Sequence, residues 1–110
     1  MNNIDSALKQ FEKVVRSQLE RVEKMKSQGD FIDFAELDKI MIGVCGGDGI
    51  GPTITNESER VLKHLLADEV RKGKVEFKQI DGLTIENRAK AGKAIPDDVL
   101  AELKACHVIL

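Results

Sequence analysis

Apolar residues recur at helical spacing in the first part of the chain. Between residues 3 and 27 they step by three or four positions, as Ile4, Leu8, Phe11, Val15, Leu19 and Val22. Lysine and glutamate fill most other positions, so the pattern predicts one amphipathic helix. We expect Asn3 or Asp5 to cap its start and Gly29 to end it. A short apolar patch follows, for which we predict a single helical turn docked on the body: Phe31, Ile32, Phe34 and Leu37.

From residue 39 onward, short apolar runs alternate with longer segments of helical spacing. Strands are predicted at 39–45, 75–80 and 106–110. Helices are predicted at 52–72, 84–90 and 96–104, with a break at Ala91 and Gly92. We expect the long helix to bury an apolar side: Ile54, Val61, Leu62, Leu65, Leu66 and Val70. The order strand–helix–strand–helix–strand predicts an α/β fold with a parallel sheet.

A glycine-rich turn joins the first strand to the long helix. Four glycines lie between residues 46 and 51, and Pro52 follows them at a position suited to the first turn of a helix. A dinucleotide fingerprint needs G-x-G-x-x-G, but the third glycine would fall at Pro52, so the match fails. A phosphate-binding P-loop fails as well, because no Gly-Lys-Ser/Thr follows. Open α/β sheets nevertheless place ligands at such turns.

Composition narrows the class of protein. The chain of 110 residues has net charge −2 and a pI of about 5.7, which implies no nucleic-acid or membrane partner. It has no Trp or Tyr on which bases would stack. The N-terminus lacks an apolar signal core, so we expect a cytoplasmic protein. In that compartment Cys45 and Cys106 are expected to be reduced core residues.

The titratable residues form no recognisable catalytic set. His64 and His107 have no Cys, His or acid at metal-ligand spacing, and are interpreted as a surface and a strand-end histidine. Asp97 and Asp98 are explained by a helix N-terminus, where acids are favoured. Glu57 and Glu59 are expected to be solvated or paired with Arg60 and Lys63. No catalytic and no metal-ligating residue is therefore assigned.

The segment Ile42-Gly43-Val44-Cys45-Gly46-Gly47-Asp48-Gly49-Ile50-Gly51-Pro52 resembles the opening of the isocitrate and isopropylmalate dehydrogenases, the metal-dependent β-decarboxylating dehydrogenases. Those enzymes typically begin with a strand, then P-G-D-G-I-G-P-E, then a long helix. Three later segments of this chain are also similar to the family: 75–77, 94–100 and 103–110. Gly46 stands where the family usually has Pro, and Thr53 where it usually has Glu.

The resemblance implies an incomplete isopropylmalate dehydrogenase-like core at 39–110, preceded by an N-terminal helical extension at 1–38. The parent enzyme would be an oxidoreductase, usually a homodimer, that oxidatively decarboxylates isocitrate or 3-isopropylmalate. Residues 103–110 resemble the isocitrate branch slightly more. It would use NAD or NADP together with Mg²⁺ or Mn²⁺. Gly49 and Ile50 match the family's cofactor-binding turn, where Ile50 would contact the adenosine half. The family's catalytic and metal-binding groups have no counterpart here.

The chain ends within an apolar predicted strand, so we expect the front part of a longer protein, inactive on its own. Three alternatives stay open. In the first, the glycines only shape a turn, and in the second the chain is a nucleotide-binding domain of another α/β family. In the third, the helix 3–27 serves a non-catalytic interaction or oligomerisation module. Its stripe is only roughly three heptads long, which disfavours an isolated coiled coil, and packing on its own domain is the commoner role.

Overall fold

The computed structural model describes residues 2–29 and 31–110. The chain divides into two compact units, Met1–Asp33 and Phe34–Leu110. The first unit is formed by one helix, and the second is a mixed α/β unit with a three-stranded parallel sheet. The boundary predicted after residue 38 comes from the family resemblance and stays a prediction.

Helix α1 spans Asn3–Ser27, as the apolar periodicity predicts. Its cap differs from the prediction, because Asn2 rather than Asn3 or Asp5 is the N-cap. The Asn2 side chain accepts a hydrogen bond from the Asp5 N–H at 2.8 Å. Its end also differs: Gln28 takes an extended backbone and stops the helix one residue before Gly29. None of the residues of α1 is buried.

The segment after α1 forms no helical turn, so that prediction is wrong. Phe34 and Ala35 form a turn, and the following residues are irregular. Phe31 and Ile32 are exposed, whereas Leu37 is half-buried. The Leu37 carbonyl accepts a hydrogen bond from the Lys74 ammonium. This hydrogen bond joins the segment to Lys74, the residue that directly precedes the second strand of the chain.

The sheet of the second unit has the strand order β2-β1-β3, with both pairs parallel. The strands are β1 at Ile40–Val44, β2 at Val75–Gln79 and β3 at Val108–Ile109. The central strand is the most buried because it has a neighbour on each side. Its Ile42 and Val44 join three other buried apolar side chains in the core: Val75, Ile80 and Val99. All three predicted strands are present, although β3 is shorter than expected.

The long helix predicted at 52–72 is divided in two. Helix α2 spans Gly51–Leu65 and α3 spans Ala67–Arg71, with Leu66 at φ −101° between them. Four of its predicted buried residues are exposed: Ile54, Val61, Leu65 and Val70. The inward face instead carries Thr55, Glu59 and Leu62, at steps of three and four. Leu62 and Leu66 of the predicted set are half-buried, so the apolar pattern identified the inward face only in part.

The remaining helices lie close to their predicted positions. Helix α4 spans Ile85–Ala91 and ends at Gly92, whose φ of +65° makes it a left-handed C-cap. Helix α5 spans Asp97–Lys104 and has acids in its first turn, where the helix dipole favours them. No helix in the described part of the chain is long and apolar enough to cross a bilayer.

Candidate cofactor cleft at the glycine turn

The glycine turn follows the carboxyl end of the central strand, and its backbone requires glycine at specific positions. Gly47 and Gly49 both have φ +61°, a left-handed conformation that other residues rarely adopt. Gly51 has a different reason, since a Cβ there would overlap the carbonyl oxygen of Gly46. The Gly51 N–H donates to the Asp48 carbonyl at 3.0 Å and closes the turn. The sequence therefore builds a tight, defined strand-to-helix turn.

Asp48 connects this turn to another helix. Its Oδ2 accepts a hydrogen bond from the Ile85 N–H at 2.5 Å, although the two residues lie 37 positions apart. Thr84 adds a second cap, because its Oγ1 accepts from the Asn87 N–H at 3.3 Å. Both bonds satisfy donors at the start of α4 that have no partner within the helix. The glycine turn is thus held against the N-terminus of α4.

A cleft of about 240 Å³ opens between the glycine turn and the end of β2. Its wall includes Gly46 and Gly47 on one side and Gln79 and Asp81 on the other, with Thr84 at the start of α4. This is the edge of the sheet formed by the carboxyl ends of β1 and β2. Open parallel sheets bind ligands at that edge. The cleft is therefore the best-placed cavity for a small molecule.

A larger hollow of about 320 Å³ lies at the opposite edge of the sheet. It is lined by Lys39 and Val75, which lie at the amino ends of β1 and β2, and by Lys63. Lys39 is already paired with Glu76, with a nitrogen-to-oxygen distance of 2.7 Å. The position of this hollow does not suit an α/β ligand site.

Gly49 and Ile50, the two residues matched to the family's cofactor contact, lie on the exposed surface of the turn. Ile50 is 72% exposed, and a Cβ on Gly49 would meet no atom within 4 Å. The wall of the 240 Å³ cleft is formed by neighbouring residues such as Gly47 and Pro52, and not by Gly49 or Ile50. Space for a ligand exists beside both residues. Their contact with a cofactor stays a prediction.

A polar cluster around the buried Glu59 links α2 to β2. Glu59 is only 6% exposed, and its Oε1 lies 2.7 Å from the Lys63 ammonium and accepts a hydrogen bond from the Gln79 amide at 2.8 Å. The Lys63 nitrogen is also 5.3 Å from the centre of the Phe77 ring, within cation–π range. The hydrogen bond from Lys63 lowers the pKa of Glu59, against the opposing effect of burial, and Gln79 lowers it further.

Only part of this cluster is predictable from residue spacing. The pairing of Glu59 with Lys63 follows from their spacing of four along a helix, and the structure confirms it. The burial of Glu59 and its bond to Gln79 were missed. The available signal was Gln79, a polar residue at the end of a strand whose preceding residues alternate. Glu57 behaves as expected and pairs with Arg60 at 2.8 Å on the exposed surface.

His107 has a structural role at the start of β3. Its Nδ1 accepts a hydrogen bond from the Met41 N–H at 2.9 Å, and the backbone N–H of His107 donates to the Met41 carbonyl at the same distance. The imidazole thereby completes a rung of the sheet that the backbone alone does not make. This agrees with its interpretation as a strand-end histidine. His64 lies exposed in the last turn of α2.

Both cysteines are free and half-buried. Cys45 follows the carboxyl end of β1, whereas Cys106 precedes the amino end of the parallel strand β3, so the sheet register does not place them side by side. The Cys106 thiol donates to the Glu102 carbonyl at 3.4 Å. Burial raises the pKa of the Cys45 thiol, and the Cys106 thiol raises it further. A raised pKa keeps Cys45 protonated and weakly nucleophilic at neutral pH.

Within residues 2–29 and 31–110, no three His, Cys, Asp or Glu side chains converge to hold a metal ion. The metal implied by the family resemblance does not fit any group of residues described here, so no chemical step through a metal is derived. Asp97, one acid of the predicted helix N-terminus, pairs with Lys93 at 2.6 Å. No family model, curated protein or solved structure matches this chain.

Proposed function

We propose that this chain is the N-terminal portion of an NAD(P)-dependent dehydrogenase that oxidatively decarboxylates isocitrate or 3-isopropylmalate. The observation that carries the proposal is the glycine turn at the carboxyl end of the central parallel strand. There, Gly47 and Gly49 adopt positive φ and Gly51 closes against Gly46. The sequence of that turn, Gly47-Asp48-Gly49-Ile50-Gly51-Pro52, is the segment that resembles the family.

The strand order supports this location for a cofactor. In the order β2-β1-β3 the chain moves from β1 to one side and then crosses to the other side of β1. Crevices at such reversals, beyond the carboxyl ends of the strands, are where open α/β sheets bind ligands. The glycine turn emerges from β1 and therefore borders the reversal. The cleft of about 240 Å³ beside the glycine turn leaves space for part of a ligand.

The residues of this chain would contribute binding rather than proton transfer. Ile50 offers an exposed apolar surface to the adenosine half of NAD or NADP, and Gly49 leaves the backbone open to close approach. Asp48 would fix the turn through its bond to Ile85 and so keep the contact surface in place. In the family, Mg²⁺ or Mn²⁺ stabilises the enolate formed on decarboxylation. Residues for that role are not assigned in this chain.

The proposal is tested with the protein in the form that its gene encodes. The purified protein is mixed with isocitrate or 3-isopropylmalate, NAD or NADP, and Mg²⁺ or Mn²⁺. We expect formation of reduced nicotinamide together with release of CO₂ for one of the two hydroxy acids. The 110-residue chain alone should give neither product. Absence of both products from the gene product with either acid contradicts the proposal, and turnover by the 110-residue chain contradicts its inactivity.

A second candidate function is a non-catalytic interaction through α1. The observation that favours it is that this 25-residue helix buries none of its residues, while Leu8 is 61% and Phe11 68% exposed. Exposed apolar stripes of this kind bind partner helices or grooves. Deleting residues 1–30 and measuring molar mass by light scattering tests it. A smaller number of subunits per particle, once the mass of the deleted residues is allowed for, supports the interaction role, and an unchanged oligomeric state counts against it.

A further inference from the structure

The apolar stripe of α1 follows a coiled-coil heptad. Its core positions alternate in steps of four and three, and together we call them the α1 seam: Ile4, Leu8, Phe11, Val15, Gln18, Val22 and Met25. All are apolar except Gln18. Their side chains lie at the surface, and Ile4 is 69% and Met25 60% exposed. The seam thus has the pattern of a helix that packs against another helix, not of a helix coated by water.

The charges beside the seam distinguish the possible arrangements of two copies. In an antiparallel pair with Leu8 opposite Met25 of the second copy, Phe11 lies opposite Val22 and Val15 opposite Gln18. The flanking positions then place Asp5 near Lys26 of the second copy, and the two-fold symmetry repeats the pair. An Asp5–Lys26 contact between the two copies therefore lies at each end of the seam.

The other arrangements bring like charges together. In a parallel, in-register pair, Arg21 of each copy faces Lys26 of the other, and the two Gln18 side chains meet in the core. An antiparallel pair shifted by one heptad in one direction places Glu12 opposite Glu12 of the second copy. The opposite shift brings Glu12 near Lys26, but it also places Arg21 opposite Arg21 and shortens the apolar overlap. Like charges at such positions oppose association. The charge pattern thus favours a single antiparallel register, in which the helix dipoles also oppose each other favourably.

Both charges of the favoured contact are available within the described chain. Asp5 takes part in no ion pair among the described residues, and its backbone N–H donates to the Asn2 side chain. Lys26 lies 2.8 Å from Glu23, but both side chains are more than two-thirds exposed. Exposed pairs of this type contribute little to stability. Lys26 is therefore free to exchange Glu23 for Asp5 of another copy.

We propose that α1 pairs antiparallel with α1 of a second copy of this chain, with the two-fold axis between Arg16 and Ser17. This inference rests on the second proposed function, in which α1 is an interaction surface. The pair is isologous, so Leu8 of each copy packs on Met25 of the other. Gln18 opposite Val15 sets the register at some cost in stability, as single polar core positions do in coiled coils.

Analytical ultracentrifugation of the full chain over a concentration series tests the proposal. We expect a monomer–dimer equilibrium. The variant Lys26→Asp should raise the dimer Kd about three- to tenfold, because Asp5 then faces an aspartate. The double variant Asp5→Lys with Lys26→Asp should restore the Kd. Lys13→Glu, a charge reversal on the far side of α1, is the matched control and should leave the Kd unchanged.

The outcomes separate this inference from the function on which it rests. A Lys26→Asp variant that dimerises more tightly indicates a parallel pair, because Arg21 of the other copy then faces an opposite charge. That result overturns the antiparallel register but leaves α1 as the interaction surface. A dimer that survives deletion of residues 1–30 overturns both. A chain that stays monomeric at every concentration overturns self-pairing, as does a seam that packs on another segment of the same chain.

Discussion

The Asp48 carboxylate accepts a hydrogen bond from the Ile85 N–H at 2.5 Å and so joins the glycine turn to the N-terminus of α4. One acid thereby has two roles, since it caps a helix and restrains a turn whose glycines favour conformational freedom. The family resemblance points to the same aspartate within the motif, but only the structure shows its partner.

Replacing Asp48 should therefore destabilise the second unit. We expect Asp48→Ala to lower the free energy of unfolding by about 0.5–2 kcal/mol, the usual cost of losing a helix cap. Asp48→Asn should lower it less, because the amide oxygen still accepts a hydrogen bond. Urea denaturation measures both values. Asp81→Asn is the control, since Asp81 lies exposed beside the same cleft. A value for Asp48→Ala equal to that of the control would refute the capping role.

Two neighbouring glycines should respond in opposite directions to alanine. A Cβ at Gly51 would overlap the Gly46 carbonyl oxygen, so Gly51→Ala should destabilise the protein by about 1–3 kcal/mol. A Cβ at Gly46 would lie 3.4 Å from the Pro52 Cα, an ordinary contact. Because φ at Gly46 is not positive, Gly46→Ala should stabilise by about 0.4–1 kcal/mol. Thermal unfolding compares the stabilities of the two variants. Equal changes in stability for Gly51→Ala and Gly46→Ala would contradict the described turn.

The buried Glu59 should make stability depend on pH at the acid end. Its hydrogen bonds lower its pKa below the ordinary value of 4.5. A lowered folded-state pKa contributes stability that is present above 4.5 and is lost as the pH falls through the folded value. We expect Glu59→Gln to be less stable than the parent at neutral pH, with the difference shrinking below about pH 4.5. A difference that stays constant with pH would show that the charge on Glu59 is not responsible.

The imidazole of His107 should protect one amide of the central strand. In His107→Ala the Met41 N–H loses its acceptor, which we expect to cost about 1 kcal/mol and to accelerate hydrogen exchange at that amide. His107→Asn should recover part of the loss, because its side-chain oxygen can accept the same bond. His64→Ala, at an exposed helix position, is the control. Unchanged exchange at Met41 in His107→Ala would contradict this role.

Sequence patterns anticipated the elements better than their buried faces. Alternating strands and helices are enough to predict a parallel α/β sheet, because short apolar strands and helical periodicity are local signals. The face of α2 was not predictable in the same way. Ile54, Val61 and Leu65 form the more regular apolar stripe, yet tertiary packing turns Glu59 inward, where Lys63 and Gln79 satisfy its charge.

The candidate site likewise has local features that the sequence predicts and long-range contacts that it does not. The need for glycine at 47 and 49 is apparent from the motif, and both residues have the positive φ that glycine adopts freely. The bond from Ile85 to Asp48 spans 37 residues and leaves no trace in local sequence. Likewise, the hydrogen bond of His107 depends on the pairing of β1 with β3, which only the folded sheet creates. Long-range contacts therefore account for most of what the sequence did not predict.

The most direct test of the cofactor proposal is the KM for NAD(P) of an Ile50→Ser variant of the gene product. Ile50 and Ile54 are both exposed on the same helix entry, at 72% and 55%, so Ile54→Ser is the matched control. Loss of apolar contact with the adenosine half should raise the KM for the cofactor about tenfold in Ile50→Ser and leave it unchanged in Ile54→Ser. The KM for the hydroxy acid should not change in either variant. An unchanged cofactor KM in Ile50→Ser, or the absence of any NAD(P)-dependent oxidation in the parent protein, would contradict the account.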